Sequence, residues 1–176
     1  LSGIKDITRT TIEDIYKIYD FKTACYTFAT PLSMGAIIAG ACDKEADLLF
    51  QYGIYLGRAF QIKDDIIGTF GSEEEIGKSN LTDLKEAKKT ILIWYACHHA
   101  PKIDALSLKK MLGKATLKEA DLEQARRIIE SSGALQYAQK EIASLLRKAQ
   151  GLLARSRMKT KYKLFLSSYA TQILQV

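Results

Sequence analysis

Residues 57–68 read GRAFQIKDDIIG, and this stretch decides how the rest of the sequence is interpreted. Apolar residues recur around it at intervals of three and four, as they do in a helix that is buried along one side. At about 100° per residue, its polar positions and one glycine share a face: Gln61, Asp64, Asp65 and Gly68. We therefore expect an otherwise apolar helix with one acidic stripe.

The acidic stripe favours a metal ion. Adjacent carboxylates near the C-terminal end of a helix repel each other and the helix dipole unless water or cations neutralise them. Mg²⁺ usually takes one or two carboxylates and completes its octahedral shell with water and phosphate oxygens. Asp64 and Asp65 are therefore predicted to bind Mg²⁺ beside a diphosphate, although a lone Asp-Asp pair is more often a solvated helix end.

The helical period extends along nearly the whole chain. A first helix is expected over about 11–38, kinked or broken near 27–31 because Pro31 removes a backbone hydrogen bond. The helix with the acidic stripe is expected from its N-cap Asp43 to about residue 69. Residues 71–80 are predicted to form a loop. Further helices are expected at about 88–99, 103–112, 117–130, 134–154 and 159–174. The sequence thus predicts an all-α helical bundle, with residues 1–176 as a single domain.

The composition sets the class of protein. The chain has 176 residues, of which 47 % are hydrophobic and 26 % are charged, which indicates a globular domain and excludes a disordered or disulfide-framed chain. The longest apolar runs fall short of the roughly 18 residues of a membrane span. Three widely spaced cysteines, Cys25, Cys42 and Cys97, indicate buried thiols in a reducing compartment, so we expect a cytoplasmic protein.

The net charge of +6 is unevenly distributed. Residues 1–87 contain nine Lys and Arg against fourteen Asp and Glu, whereas residues 88–176 contain seventeen against six. The basic half includes RSRMKTKYK at 155–163, a series that could bind nucleic acid or an anionic membrane. No recognition motif accompanies it and the charges lie on several helices. We therefore favour a solvated surface, with no nucleic-acid partner and no stable membrane insertion.

Three lysines near the predicted kink, loop and following helix supply the positive charge that a phosphate-binding site needs. Lys22, followed by Thr23, precedes the expected kink; Lys78 lies in the predicted loop; Lys88 begins the next helix. A lysine ammonium is a compact charge suited to phosphate oxygens. Any one of these lysines alone would be read as an ordinary surface residue, so the order and spacing of the set carry the interpretation.

Together these stretches resemble a known family. The matching text is KTACYTFATPLSMGAIIAG at 22–40, GRAFQIKDDIIGTFG at 57–71, GKS at 77–79 and DLKEAKKT at 83–90. It is similar to the C-terminal half of the trans-isoprenyl diphosphate synthases, the polyprenyl synthetase family, over about residues 20–94. The remainder of the chain is compatible with the terminal helices of that family but carries no motif.

The resemblance implies an isoprenoid-synthase fold and a Mg²⁺-assisted prenyltransferase that joins isopentenyl diphosphate to an allylic diphosphate. It implies that Lys22 contacts the allylic diphosphate and that Thr23 and Gln61 direct oxygen dipoles toward the developing carbocation. Asp64 and Asp65 would hold the metal. The remaining positions implied to bind diphosphate are Lys78 and Lys88. Apart from the resemblance, a homodimer or a domain-completing oligomer is expected, because apolar helix sides left open without partner helices favour self-association.

The sequence departs from the family pattern in three places. Gly68 stands where the aspartate motif often has a third Asp, and Ala87 stands where Glu-Gly-Lys would have its glycine. Neither the first aspartate-rich motif nor the upstream isopentenyl-diphosphate residues of the family occur in these residues. We therefore expect the chain to be the C-terminal part of a longer synthase and to be inactive alone.

Other interpretations stay open. Cys97, His98 and His99 are consecutive and point about 100° apart, so they are expected to be ordinary helix residues and not metal ligands. Arg58 and Lys63 are expected to be ion-pair or solvent residues, and Tyr26 is a weaker candidate for the pocket. The competing function is a non-catalytic helical subunit or an interaction module with a basic C-terminal surface.

Overall fold

The structure is a computed structural model that describes residues 7–71, 84, 86–114 and 116–175. Their regular secondary structure is helical throughout, which confirms the all-α prediction. Within the same ranges, no helix combines the length and the apolar character that crossing a membrane requires. Apart from Gly71, the loop expected at 71–80 lies outside the described residues.

The helices follow the predicted order with small shifts at their ends. A 3₁₀ turn and nine helical segments occur in the described ranges: Ile7–Arg9 (3₁₀), α1 (Ile12–Tyr19), a π-helix (Asp20–Ala29), α2 (Thr30–Ile38), α3 (Asp43–Phe70), α4 (Ile91–His99), α5 (Lys102–Met111), α6 (Glu119–Ser131), α7 (Ala134–Arg155) and α8 (Thr160–Leu174). Asp43 is the first residue of α3 and not its N-cap. Shifts of one or two residues are ordinary at helix ends, where hydrogen bonding frays.

The largest difference from the prediction lies in the first helix. A kink was expected near residues 27–31, but the irregular segment begins at Asp20 and is a ten-residue π-helix. The Thr30 amide donates to Cys25 O, five residues earlier, as the wider π turn requires. Pro31 follows within the first turn of α2, directly after the π-helix. A π-helix is rare and is found frequently at functional sites.

The chain divides into two compact units, and each is described by itself. One contains Leu1–Ile15 and Asp64–Gln139, and the other contains Tyr16–Lys63 and Lys140–Val176. Helix α3 contributes residues through Lys63 to the second unit and from Asp64 to the first. The interpretation of 1–176 as a single domain stays a prediction.

Helix α4 forms the centre of the unit that contains residues 64–139. Thr90 is its N-cap and accepts a hydrogen bond from the Ile93 amide at 3.2 Å, so α4 begins three residues later than the predicted Lys88. Ile91 and Leu92 are fully buried, and each such side chain contributes about 1.5–3 kcal/mol of hydrophobic stabilisation. The β-branched, aromatic run at 90–95 is therefore a buried helix, since its packing outweighs its strand propensity.

The cysteines only partly match their prediction. Cys97 is buried and Cys25 is half-buried, but Cys42 is exposed where the chain turns from α2 into α3. All three are free thiols. An apolar neighbourhood in sequence does not guarantee burial, because residues at the end of a helix have fewer neighbours than residues in its middle.

Candidate functional site

Thr23 and Gln61 form the best-defined polar contact in the unit that contains residues 16–63. Thr23 Oγ1 donates to Gln61 Oε1 at 2.5 Å, and the two residues are only 8 % and 2 % exposed. Thr23 lies in the π-helix, which also carries Lys22, and Gln61 lies in α3, so the contact joins two of the elements that carry predicted site residues. The structure therefore brings together two of the three predicted catalytic side chains.

Two glycines of α3 bring its backbone against the π-helix. A Cβ placed on Gly57 would lie 2.4 Å from Ala24 Cα, and one placed on Gly53 would lie 2.4 Å from Ala29 Cα. Carbon atoms in contact require roughly 3.5–4.0 Å, so only glycine fits at either position. Ala24 and Ala29 are themselves fully buried. Small residues on both sides thus allow the approach in which Thr23 reaches Gln61.

A second side-chain link anchors the start of the π-helix. Arg58 Nε and Nη2 donate to the two carboxylate oxygens of Asp20, each at 2.6 Å. The guanidinium also lies 4.7 Å from the centre of the Tyr16 ring, a cation–π contact. The hydrogen bond to Asp20 raises the pKa of Arg58, since it favours the charged form. Arg58 is therefore an ion-pair partner, as predicted, and it holds the first residue of the π-helix.

The predicted substrate lysine of the π-helix points outward. Lys22 is exposed, and Tyr26, one turn later, is 65 % exposed. An exposed ammonium on a flexible side chain is accessible to an external phosphate. The placement of Lys22 is compatible with a ligand that arrives from solvent, while Tyr26 is surface-exposed in the same unit.

The same unit contains an apolar cavity of about 400 Å³, and its first lining residue, Thr27, lies one turn after Thr23 in the sequence. Thr27, Phe28 and Pro31 line one side, and Tyr52, Leu56 and Phe60 of α3 line another; Leu166, Tyr169 and Ile173 of α8 are also present. The Tyr52 hydroxyl donates to Leu166 O at 2.9 Å, and burial raises the pKa of Tyr52 to about 12. The lining residues are apolar or neutral at pH 7.

Asp64 and Asp65 follow Gln61 on α3 by three and four residues, but they do not share one environment. Asp64 is exposed, whereas Asp65 is 3 % exposed and lies on the buried side with Gln61, which is one turn earlier. The acidic stripe predicted from the sequence is therefore divided between a solvent-facing and a buried carboxylate. Among the described residues, no three His, Cys, Asp or Glu side chains form a metal cluster.

The donor chemistry of this pair suits Mg²⁺. Hard carboxylate oxygens are the preferred protein ligands of that ion, and one or two of them suffice when substrate phosphates and water fill the other positions. Asp64 offers the accessible carboxylate. The residues present therefore fit the metal that the sequence predicts.

The remaining lysines behave differently from one another. Lys63 Nζ donates to Ile173 O at 2.9 Å and to Gln175 O, so it caps the carbonyl end of α8. Lys88 is half-buried, with Nζ 3.2 Å from Glu86 Oε2. Lys78 lies outside the described residues. Of the two lysines after α3 that are predicted to bind diphosphate, only Lys88 lies within the described residues.

Ala87 occupies an unusual backbone conformation for a residue with a side chain. Its φ is +48°, in the left-handed region where glycine is favoured. Ala87 stands where the pattern of the resembling family has glycine. The structure thus has an alanine in the left-handed conformation, at a cost in strain, immediately before Lys88.

The two histidines of α4 are engaged by their own helix. His98 Nδ1 lies 2.8 Å from Trp94 O, and His99 Nδ1 lies 3.0 Å from Tyr95 O. The His99 ring also stacks on Tyr95, with centroids 3.9 Å apart. Both side chains therefore have a structural explanation within the helix.

Comparison with known proteins identifies the family. A family model described as polyprenyl synthetase matches residues 3–129. The chain belongs to the polyprenyl synthetase family. The match extends well beyond the region 20–94 in which the sequence motifs lie.

Named relatives and solved structures give the same result. The chain is 39 % identical over 128 residues to the geranylgeranyl diphosphate synthase of Saccharolobus solfataricus, covering 73 % of this chain and 38 % of that protein. It is similar to the crystal structure of geranylgeranyl pyrophosphate synthase from Corynebacterium glutamicum complexed with isoprenyl diphosphate and magnesium, with a TM-score of 0.85 and 30 % identity. That match covers 94 % of this chain and 47 % of the other.

A decaprenyl diphosphate synthase from Rhodobacter capsulatus matches in structure with a TM-score of 0.83 and 28 % identity, covering 95 % of this chain and 51 % of the other. The chain thus spans well under half of the curated relative named above and about half of each of these solved structures. The fold similarity includes the terminal helices, for which the sequence offered no motif.

Sequence reasoning missed two contributors to this arrangement. Gly53 was not singled out, although its contact with Ala29 is as close as that of Gly57 with Ala24. Asp20 was not recognised as the partner of Arg58. A signal existed for the glycine, because small residues four apart on an apolar helix favour close approach to a second backbone. No signal existed for the partner of Arg58, since the two residues are 38 positions apart.

Proposed function

We propose that this chain provides the part of a trans-prenyl diphosphate synthase that ionises the allylic diphosphate. In the complete reaction, the allylic substrate releases diphosphate, the resulting carbocation adds to the double bond of isopentenyl diphosphate, and loss of a proton from the adduct forms the new double bond. The buried Thr23–Gln61 contact, close along the chain to an apolar cavity, is the observation that carries this proposal. The names of the family and its relatives agree with it.

Thr23 and Gln61 suit the stabilisation of a carbocation. The hydroxyl and the amide oxygen present lone pairs without a formal charge, and both residues are shielded from water. Dipoles held in place in a dry environment stabilise a developing charge more strongly than solvent does, because they need no reorganisation. A carboxylate there would trap the cation; a neutral pair lets it react onward.

The apolar cavity suits the hydrocarbon part of the substrate. Its volume of about 400 Å³ lies in the range typical of small-molecule sites. Phe28, Leu56 and Phe60 give it a surface that gains from burying isoprenoid methyl groups, at about 25 cal/mol per Å². Because Tyr52 stays neutral, no charge disturbs this environment.

The diphosphate needs positive charge. Exposed Lys22 is proposed to bind its oxygens, together with Lys78 and Lys88, and Asp64 and Asp65 are proposed to hold Mg²⁺ against it. When bound, the metal neutralises charge that accumulates on the leaving diphosphate. The protein residues then fix where that charge develops, so ionisation occurs at one bond.

We further propose that the 176 residues alone do not turn over substrate. Asp64 and Asp65 form the only pair of adjacent aspartates in the sequence. A second carboxylate cluster on a facing helix would be needed to hold the diphosphate from both sides. We also propose a cytoplasmic homodimer, for which the three free cysteines and the exposed apolar side chains of α2, Met34, Ile37 and Ile38, give support.

Binding of a non-ionisable allylic analogue tests the proposal. Geranyl S-thiolodiphosphate should bind the chain in a Mg²⁺-dependent manner, measured by isothermal titration calorimetry. Asp64→Asn should weaken this binding by about tenfold, because charge-assisted contacts contribute about 1.5–3 kcal/mol. Asp47→Asn is the matched control, since Asp47 is an exposed aspartate of the same helix, and it should leave affinity unchanged.

Two results would contradict the proposal. Equal loss in the Asp47 and Asp64 variants would show a general charge effect and not a metal site. Binding that persists at full strength in EDTA would remove the metal from the mechanism. Separately, incubation with Mg²⁺, isopentenyl diphosphate and geranyl diphosphate should give no product, and turnover at the rate of an intact synthase would overturn the proposed dependence on a second cluster.

A further inference from the structure

The outer surface of α8 (Thr160–Leu174) is apolar. Three large side chains on it are 49–66 % exposed, Tyr162, Leu164 and Phe165, and Tyr169, which also lines the cavity of this unit, is 44 % exposed. Phe165 and Tyr169 stack on each other, with ring centroids 6.4 Å apart and planes inclined by 11°. The opposite side of the helix is already packed, because Ala170 and Leu174 are buried. Packing within the unit therefore does not account for the apolar outer surface.

The segment that leads into α8 is strongly basic. Residues 142–176 contain seven Lys and Arg and no Asp or Glu, and five of the seven lie within residues 155–163. Arg155, Arg157, Lys159 and Lys161 are exposed. The first turn of α8 contains no acidic residue, so Lys159 and Lys161 stand at the positive end of its dipole, where they repel it, while Glu45 accepts hydrogen bonds from Ser156 and the Arg157 amide just before the helix. An external negative charge would relieve that repulsion.

We propose that the α8 surface, meaning residues 155–163 with Tyr162, Leu164, Phe165 and Tyr169, docks on an anionic lipid membrane. Interfacial helices place aromatic and aliphatic side chains at the acyl boundary while lysines reach lipid phosphates. At about 100° per residue, Phe165 lies within about 60° of Tyr162, Tyr169 and Lys161 on the helix circumference. Leu164 lies about 100° from Phe165, at the edge of this surface, so the four apolar side chains and the ammonium occupy one half of the helix circumference.

A membrane explains this surface better than a nucleic acid does. Phosphate contacts alone would account for the lysines, and stacking with bases would account for the tyrosines. Leu164 is 65 % exposed and has no aromatic ring that stacks on a base. Its burial in the hydrocarbon of a membrane would be favourable, because apolar surface would be removed from water. The docking is peripheral, in keeping with a helix that lies at the interface and does not span it.

Vesicle flotation of the full 176-residue chain tests this proposal. We expect binding to phosphatidylcholine vesicles with about one third phosphatidylglycerol to be about tenfold tighter than to pure phosphatidylcholine, and to weaken with added salt. Lys159→Gln with Lys161→Gln should weaken binding about fivefold for each lysine. Leu164→Ser with Phe165→Ser should weaken it to a similar extent. Circular dichroism of each variant confirms that the helices are retained.

The matched control lies on α5. Ile103 and Leu106 are 82 % and 56 % exposed, and Ile103→Ser with Leu106→Ser removes comparable apolar surface from a different helix. We expect this control to bind vesicles like the wild type. Equal loss in the control, equal binding to neutral vesicles, or tighter binding to generic double-stranded DNA that Phe165→Ser leaves unchanged would each overturn the proposal. Diphosphate binding is measured separately and does not depend on this result.

Discussion

Gly57→Ala is expected to separate α3 from the π-helix. In the wild type, a Cβ at this position would lie 2.4 Å from Ala24 Cα and 2.6 Å from Ala24 Cβ. Because contact between carbon atoms requires roughly 3.5–4.0 Å, the two backbones must move apart by about 1 Å. The obstacle is helical backbone and not the end of a flexible side chain, so a rotamer change cannot relieve the clash.

The expected cost follows from three contributions. Overpacking a well-packed contact costs about 1–3 kcal/mol. Stretching the buried Thr23–Gln61 hydrogen bond adds about 1–3 kcal/mol, because both groups lose a partner away from water. Replacing glycine by alanine within a helix returns about 1 kcal/mol. The free energy of unfolding should therefore fall by about 2–4 kcal/mol, after allowing for partial relaxation.

Urea denaturation followed by far-ultraviolet circular dichroism measures the effect. With a slope of about 2–3 kcal/mol per molar urea, the midpoint should fall by about 1 M. Gly151→Ala is the control, since Gly151 lies within α7 and a Cβ there meets no atom within 4 Å. That variant should gain about 0.5–1 kcal/mol. A Gly57→Ala protein as stable as the wild type would refute the reasoning.

Three further predictions concern other positions. Ala87→Gly should raise the free energy of unfolding by about 0.5–1 kcal/mol in urea denaturation, because glycine adopts the left-handed φ of +48° without steric strain. A loss of stability would show that Ala87 is not strained. The hydrogen bond from Ser156 lowers the pKa of Glu45, so this carboxylate stabilises the fold above pH 4.5, its ordinary value, and ceases to do so as the pH falls through its lowered pKa. Glu45→Gln should therefore reduce the loss of Tm between pH 6 and acidic pH seen in thermal melts of the wild type, and an unchanged loss would show that the contact does not form. Arg58→Met should lower the free energy of unfolding in urea by about 1–3 kcal/mol, because it leaves the half-buried Asp20 carboxylate without the guanidinium. Arg58→Lys should restore only part of this loss, since lysine cannot donate to both carboxylate oxygens as arginine does; full rescue by lysine would contradict a role for the bidentate contact.

Local structure was largely predictable. The interval of three and four between apolar residues identified α3 to within one residue of its end at Phe70, and it identified the long helices near the C-terminus equally well. Such periodicity is a property of the chain itself, because every α-helix turns by the same angle per residue. The π-helix at Asp20–Ala29 was not predictable in this way, since its wider turn has no comparable sequence period.

The candidate site was predictable as a set of residue types but not as an arrangement. The sequence identified Thr23 and Gln61, and the structure joins them through a hydrogen bond across 38 positions. It also identified Asp64 and Asp65, yet it assigned them one face, whereas one is exposed and the other is buried. Burial depends on what packs against a helix, and adjacent helical residues meet different neighbours.

By itself, then, the sequence determined that this protein is helical, where its helices lie and which side chains suit a diphosphate and a cation, because those properties depend on local periodicity and residue chemistry. Only the tertiary structure decided that Gly57 and Gly53, which have no side chains, allow the π-helix to pack closely against α3. It also decided that Arg58 holds Asp20. These features depend on distances between residues far apart in the chain, which close packing specifies to within about the size of a methyl group.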